Sequence, residues 1–225
     1  MESNQDAEKL AAAKAAVKFV KTGDVVGLGT GSTATFAIKE LGQMVQRGLS
    51  IKATSSSIQT EVLAKSFGIN MISLGTLSSI DISIDGADEF TASLDLIKGG
   101  GGALFREKVM ASLSRKRIIV TDASKKVEKL GKFTVPIEVV PLAYQYVFDQ
   151  VKALGGRGIQ RLRKEQPYLT DNGNFIIDAD FGLIEKPAVL AEKLNQIEGL
   201  FAHGLFINLT SMIIMSKGGE VIIYE

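Results

Sequence analysis

The sequence predicts an α/β protein: a mostly parallel sheet with helices on both faces, interrupted by a smaller inserted α+β unit. Three features point there. Apolar strands and amphipathic helices alternate over residues 1–130. The alternation breaks near Gly131, where proline-bounded extended segments take over. Apolar strands return over 207–225 and can rejoin the first sheet, which makes 131–206 an insertion.

The elements follow in order. "DAEKLAAAKAAVKFV" sets Leu10, Ala13, Val17 and Val20 at spacings of three and four, a helical period. "DVVGLG" is a short apolar run closed by glycines, a buried strand. "STATFAIKELGQMVQR" continues as a helix with Ser32 as its N-cap. "SIKATS" reads as a strand and "SIQTEVLAKSFG" as a helix stopped at Gly68. "SSIDISIDGAD" alternates Ile80, Ile82 and Ile84 and ends at Asp85; "ALFREKVMASLSRK" is a helix and "RIIVTD" a strand. In the insertion, "KFTVPIEVVP" is extended, "LAYQYVFDQVKALGG" is a helix and "NGNFIIDADFG" is a strand after a turn. "KPAVLAEKLNQIEG" is a helix with Pro187 at its start and Gly199 past its end.

Bulk composition excludes several classes. Among 225 residues the net charge is +1, so nothing favours a nucleic-acid surface. Arg157, Arg161, Arg163 and Lys164 form the one local basic excess and read as a solvated patch. The absence of cysteine excludes disulfides and thiolate zinc sites. No apolar run reaches the ~20 residues that span a bilayer. "MESNQDAEKL" has neither the apolar core of a signal peptide nor the character of a transit peptide. A cytoplasmic location with no membrane partner is the expectation.

Three constellations carry the chemistry. "GLGTGSTA", Gly27 to Ala34, lies between a strand and a helix. Its amides and the hydroxyls of Thr30, Ser32 and Thr33 suit an anion at a helix N-terminus. It lacks the third glycine and downstream acid of a dinucleotide site, and the Gly-Lys-Ser/Thr of a nucleotide-triphosphate loop. A small phosphate or carboxylate ligand fits better. "DGADE" puts Asp85 at the carboxyl end of a strand, with Gly86 and Ala87 keeping the turn narrow before Asp88. Two such carboxylates suit the hydroxyls of a polyol, or a divalent metal. "KGGGGALFREK" sets Lys98 before four glycines and Glu107 after them in a helix. The glycines permit an inward-facing nest of amides. A lysine beside it can neutralise an enediolate oxygen, and a glutamate is a suitable base next to a carbonyl. Anion loop, hydroxyl-binding aspartates, base and lysine together make a kit for aldose–ketose isomerisation of a sugar phosphate.

"GTGSTA", "DGADE", "KGGGGAL", "REK" and "DASK", in that order, resemble type A ribose-5-phosphate isomerase. The likeness extends through "KFTVPIEVVP", "LGG" and "TDNGN". The resemblance implies a Rossmann-like domain with an α+β insertion. It implies substrate binding at Thr30, Gly31, Ser32, Thr33, Asp85, Gly86, Ala87, Asp88, Lys98, Gly99, Gly100, Gly101 and Lys125. It makes Glu107 the proton acceptor. The mechanism expected on these residues has Lys98 stabilise charge on the carbon 1 oxygen and Asp85 and Asp88 orient hydroxyls, and it leaves open which glycine loop meets the phosphate. It further implies no cofactor and no metal, a place in the pentose phosphate pathway, and a homodimer or homotetramer. Thr121 stands before "DASK" where the family pattern suggests a small apolar residue.

Three rivals remain at this point. A hydride-shift isomerase needs two metals held by histidines and carboxylates, and the one histidine, His203, reads as a surface or turn residue remote from the motifs. A sugar-phosphate-sensing module of a repressor needs a DNA-binding segment ahead of the first strand, which begins near Asp24. A coenzyme A transferase-like enzyme would use Glu107 or Glu89 as a nucleophile.

Overall fold

A computed structural model of the protein describes residues 4–225; Met1–Ser3, the opening of the stretch read for targeting signals, lies outside the described residues. The chain forms two compact units. One comprises Met1–Ala87, Arg106–Lys126 and Leu209–Glu225, the other Asp88–Phe105 and Val127–Asn208. The second unit thus takes in 88–105 as well as the expected insertion.

In chain order, α1 (Asn4–Val17) precedes β1 (Val25–Leu28), α2 (Ser32–Gln46), β2 (Lys52–Ser55), α3 (Ile58–Ser66), β3 (Asn70–Met71) and β4 (Ile80–Asp85). Short strands β5 (Glu89–Phe90) and β6 (Leu96–Ile97) come before α4 (Leu104–Leu113) and the long β7 (Ser114–Asp122). Next are β8 (Val135–Val139), α5 (Tyr144–Ala153), β9 (Arg157–Gln160), β10 (Leu162–Arg163), β11 (Gln166–Pro167) and β12 (Phe175–Asp180). Then come α6 (Pro187–Asn195), β13 (Leu200–His203), β14 (Leu205–Phe206), β15 (Met212–Lys217) and β16 (Glu220–Tyr224).

The first unit is built on a sheet of order β16-β15-β7-β4-β1-β2-β3. Its strands pair in parallel except β15 with β16, which form a hairpin. Gly218 and Gly219 both take positive φ in that hairpin turn, as a two-residue loop matched to strand twist requires. The alternation seen in "SSIDISID" does not leave one face of β4 wet. Ser83 is buried along with Ile80, Ile82 and Ile84, because β4 is a central strand covered on both faces. Small side chains of α1 (Ala12, Ala13, Ala16) pack with Ile38 and Leu41 of α2 and with Val26, Ile84 and Val120 of the sheet. The order runs outward from β1 through β2 to β3 on one side, and through β4, β7 and β15 on the other. The chain therefore changes direction between β1 and β4. Ligands of open parallel sheets bind at the carboxyl ends flanking such a point.

The second unit has a four-stranded antiparallel sheet of order β13-β8-β12-β9, a three-stranded sheet β14-β6-β5 and a β10–β11 ribbon. One face of the four-stranded sheet buries Val135, Ile137, Val139 and Ile177 against Val147 of α5 and Leu194 of α6. The alternate residues face the other way. Ile176 and Ala202, both opposite Glu138 in register, pack with Leu104, Phe105 and Tyr168.

Glu138 is fully buried on that second face. Its Oε1 accepts hydrogen bonds from Thr170 Oγ1 (2.9 Å), Asn172 Nδ2 (3.0 Å) and Asn174 Nδ2 (3.0 Å). The "TDNGN" loop is thus folded around one carboxylate. His203 is also buried, which corrects its reading as a surface or turn residue. Its Nδ1 accepts the Leu205 amide (3.3 Å), so Nε2 carries the proton and donates to Asn195 Oδ1 (3.1 Å). With both ring nitrogens satisfied, a neutral imidazole is tolerated in the interior.

Glu138→Ala strands two buried donors, on Thr170 and Asn174, beside a void, while Asn172 can turn to solvent. A loss of roughly 3 kcal/mol in unfolding free energy is expected, because stranded polar groups cost about 1–3 kcal/mol each before relaxation. Urea denaturation followed by circular dichroism measures it, and an unchanged midpoint would exclude the Glu138 network as a stabilising feature.

Candidate active site

Four loops of the first unit leave the carboxyl ends of adjacent parallel strands: 29–31 after β1, 56–57 after β2, 86–87 after β4 and 123–125 after β7. Of the expected site residues they hold Thr30, Gly31, Gly86, Ala87 and Lys125, while Asp85 ends β4 and Ser32 and Thr33 open α2. The expected N-cap at Ser32 is displaced by one residue. Gly31 is the cap, with φ 107° and no side-chain cap bond, and Ser32 is the first helical residue of α2. A positive φ is cheap only for glycine, so Gly31 rather than a hydroxyl residue makes the turn. The 15-residue helix α2 therefore begins without a side-chain cap hydrogen bond to its first amides.

Asp85 organises this loop. It is 5% exposed, and its Oδ1 accepts the amides of Gly86 (2.7 Å) and Thr30 (3.2 Å). The carboxylate at the end of β4 thereby holds the turn after β1. Gly29 makes the approach possible: a Cβ there would sit 1.9 Å from Asp85 Oδ1 and 2.6 Å from Asp85 Cα.

The Thr30 hydroxyl is turned toward protein. It donates to Ser57 Oγ (2.9 Å) and shares a 2.8 Å bond with Ser56 Oγ. Ser57 Oγ donates to Thr60 Oγ1 (3.0 Å), and Thr60 Oγ1 to the Gly29 carbonyl (3.0 Å). Ser57 also caps α3, accepting the Thr60 amide. Sequence reasoning passed over Ser56, Ser57 and Thr60. The available signal was "TSSSIQT", a hydroxyl run at the carboxyl end of a predicted strand next to the glycine loop.

Lys125 ends the short 3₁₀ turn Ala123–Lys125, which is capped by buried Asp122 accepting the Ser124 amide at 2.9 Å. Glu107 is the acidic residue of the first turn of α4 and is 3% exposed. Burial pushes the ammonium of Lys108, next in sequence, down to about 7.

The second unit carries Asp88, Lys98 and the glycine run. Lys98 lies just after β6 and is 4% exposed. Its amide donates to the Gly204 carbonyl (2.9 Å), and its Nζ lies 5.5 Å from the Phe206 ring centroid. The glycines form a tight turn. Gly99 and Gly102 have φ of 101° and 82°, and the Gly102 amide donates to the Gly99 carbonyl (2.9 Å). Asp88 Oδ2 accepts the Gly100 amide (2.7 Å). Asp88 is therefore bound to the turn that the sequence reading had treated as a separate feature.

Arg161 is the larger correction. It is not part of a solvated patch: its guanidinium forms a bidentate pair with Asp178 (2.9 and 2.5 Å), and its side chain is 15% exposed. Its Nη1 donates to the carbonyls of Gly99 and Gly100, both at 3.0 Å. Tyr168 Oη donates to the Gly101 carbonyl at 3.4 Å. Glu89, the other nucleophile considered, is committed to structure, accepting the Gly131 amide at Oε2 (2.8 Å) and the Phe133 amide at Oε1 (2.6 Å).

Among the described residues no group of three His, Cys, Asp or Glu side chains has metal-site geometry, and no helix is long and apolar enough to cross a membrane.

Comparison with known proteins agrees with this chemistry. The sequence model of the family described as ribose 5-phosphate isomerase A (phosphoriboisomerase A) matches residues 52–220. Ribose-5-phosphate isomerase A of Sphingopyxis alaskensis is 44% identical over 219 residues, 97% of this chain and 96% of that protein. The Bacillus mycoides protein of that name is 45% identical over 213 residues, 94% of this chain and 96% of its own. Among solved structures, a D-ribose-5-phosphate isomerase in complex with phospho-erythronic acid superposes with a TM-score of 0.96 at 37% identity, covering 99% of this chain and 100% of that one. Ribose 5-phosphate isomerase A of Methanocaldococcus jannaschii gives 0.93 at 39% identity, covering 98% and 99%. The chain belongs to the ribose 5-phosphate isomerase A family and is an aldose–ketose isomerase that interconverts D-ribose 5-phosphate and D-ribulose 5-phosphate.

Proposed function

We propose that isomerisation runs by proton transfer through an enediolate without a metal or cofactor, with Glu107 as the base and Lys98 as the stabilising cation. The observation that carries this reading is the burial of both side chains on either side of the glycine turn in sequence, where a solvated loop would leave them exposed. Glu107 takes the proton from carbon 2 of the open-chain aldose. The electron pair moves toward the aldehyde, and charge grows on the oxygen of carbon 1, which Lys98 and amides of the Gly99–Gly101 turn stabilise. The proton on the carbon 2 hydroxyl passes to the carbon 1 oxygen, assisted by Asp85 or Asp88. Glu107 returns its proton to carbon 1, which leaves a ketone at carbon 2.

The phosphate is assigned to the amides of Gly31, Ser32 and Thr33, with Lys125 supplying charge. The uncapped start of α2 supports that assignment, and because the Thr30 hydroxyl is engaged with serines, Thr30 contributes through its backbone. Gly86 and Ala87 line the sugar. Phospho-erythronic acid, bound by a structural relative, is a phosphorylated acid whose carboxylate presents anionic oxygens on a planar carbon, as an enediolate does. The bonding of Glu89 speaks against its use as a transferase nucleophile. Assembly as a homodimer or homotetramer, action in the cytoplasm, and a role in the pentose phosphate pathway complete the proposal. The exposed apolar side chains Leu142, Ile159 and Leu169 fit a chain that buries more surface on assembly.

In heavy water, the protein should place deuterium at the carbon next to the carbonyl of recovered ribulose 5-phosphate; quantitative retention of the original hydrogen would point to hydride transfer. Glu107→Gln should lower kcat by about 10²-fold or more, the scale of general base catalysis, with melting temperature nearly unchanged. Lys98→Ala should act chiefly on kcat and leave KM within a few-fold, since its partner charge exists mainly in the transition state. Prolonged dialysis against EDTA should leave turnover intact, and activity restored only by added divalent metal would overturn the metal-free scheme.

A further inference from the structure

We propose that Arg161 is a positioning residue of the isomerase, fixing which face of the Gly99–Gly102 turn presents its amides. The proposal rests on the reading that this turn stabilises the enediolate. A run of four glycines has large conformational freedom, and holding it in one shape costs entropy. Arg161 supplies the restraint. One nitrogen, Nη1, binds two consecutive carbonyls, Gly99 and Gly100. The other two nitrogens of the fork are locked on Asp178 of β12. The backbone of Arg161 is itself fixed on both sides, its amide donating to Ile176 O (2.8 Å) and its carbonyl accepting the Tyr168 amide (2.9 Å). The guanidinium cannot follow the turn, so the turn must conform to it.

The geometry has a direct consequence. In a trans peptide the carbonyl and the following amide point in opposite directions. With the Gly99 and Gly100 carbonyls on the guanidinium, the Gly100 and Gly101 amides point away from it. The Gly100 amide meets Asp88 there, which leaves the Gly101 amide directed to that same side. A cation on the carbonyl also polarises the peptide and strengthens its amide as a donor. Arg161 touches no substrate in this scheme; it acts through the turn. Lysine would keep the charge but lacks the planar fork that holds the carboxylate bidentately while a third nitrogen binds both carbonyls.

The test pairs kinetics with hydrogen exchange in Arg161→Lys, Arg161→Met and the parent. Misplaced oxyanion donors cost up to about 10²–10³-fold, so Arg161→Met should lose about 10-fold or more in kcat, with KM within about threefold and Arg161→Lys in between. Amides of Gly100 and Gly101 should exchange faster in Arg161→Lys, while amides of β8 and β12 stay as protected as in the parent. A kcat within twofold of the parent in either folded variant, a change in KM alone, or parent-like exchange at the turn overturns the proposal. Exchange is read without substrate. A parent that fails to isomerise would therefore sink the mechanistic reading, while the clamp itself would still be judged by exchange.

Discussion

The first unit depends on one buried carboxylate. Asp85 ends the central strand β4, and its Oδ1 draws in the amides that follow both β4 and β1. Parallel strands leave these chain ends without ladder partners, and buried amides must find acceptors. One aspartate meets both needs and so fixes the spacing of two loops at the point where the sheet changes direction. The absence of a side chain at Gly29 is the other half of the same constraint, because the carboxylate occupies the space a Cβ would fill. The ordered turn that leads into α2 follows from this pairing.

The second unit solves a harder problem by the same means. Its glycine turn is intrinsically the least ordered stretch of the chain, yet its carbonyls and one amide are held by Arg161, Tyr168 and Asp88. Charged hydrogen bonds are shorter and stronger than neutral ones. They are the economical way to fix a segment that has no side chains to pack. Four glycines are tolerable because the restraint comes from outside the turn. Gly102, with Tyr168 Oη 2.3 Å from where its Cβ would be, shows that only glycine admits that neighbour.

Four buried acids illustrate how environment divides one residue type into separate tasks. Glu138 gathers three side-chain donors and closes a loop. Glu89 takes two backbone amides and anchors the entry to β8. Asp85 orders the turns after β1 and β4. Glu107 is buried in the first turn of α4. None of these fates follows from composition, since all four are carboxylates that the fold buries.

The sequence by itself determined the parallel α/β frame, because hydrophobic period and glycine punctuation are local properties that survive without tertiary context. It also made three stretches stand out for their glycines beside hydroxyl or ionisable side chains, each of them contiguous: Thr30 to Thr33, Asp85 to Asp88, and Lys98 to Glu107. Only the tertiary structure decided what lies far apart in the chain. Arg161 read as a surface charge because its partners, Asp178 and the carbonyls of Gly99 and Gly100, are 17 or more residues away. His203 read as peripheral because Asn195 and the Leu205 amide satisfy it only once β13 and α6 have packed. Ser56, Ser57 and Thr60 gained meaning only when β1 and β2 became neighbours. Local pattern encodes which residues enter an element. Long-range hydrogen bonding depends on where the elements end, and no short window of sequence contains that information.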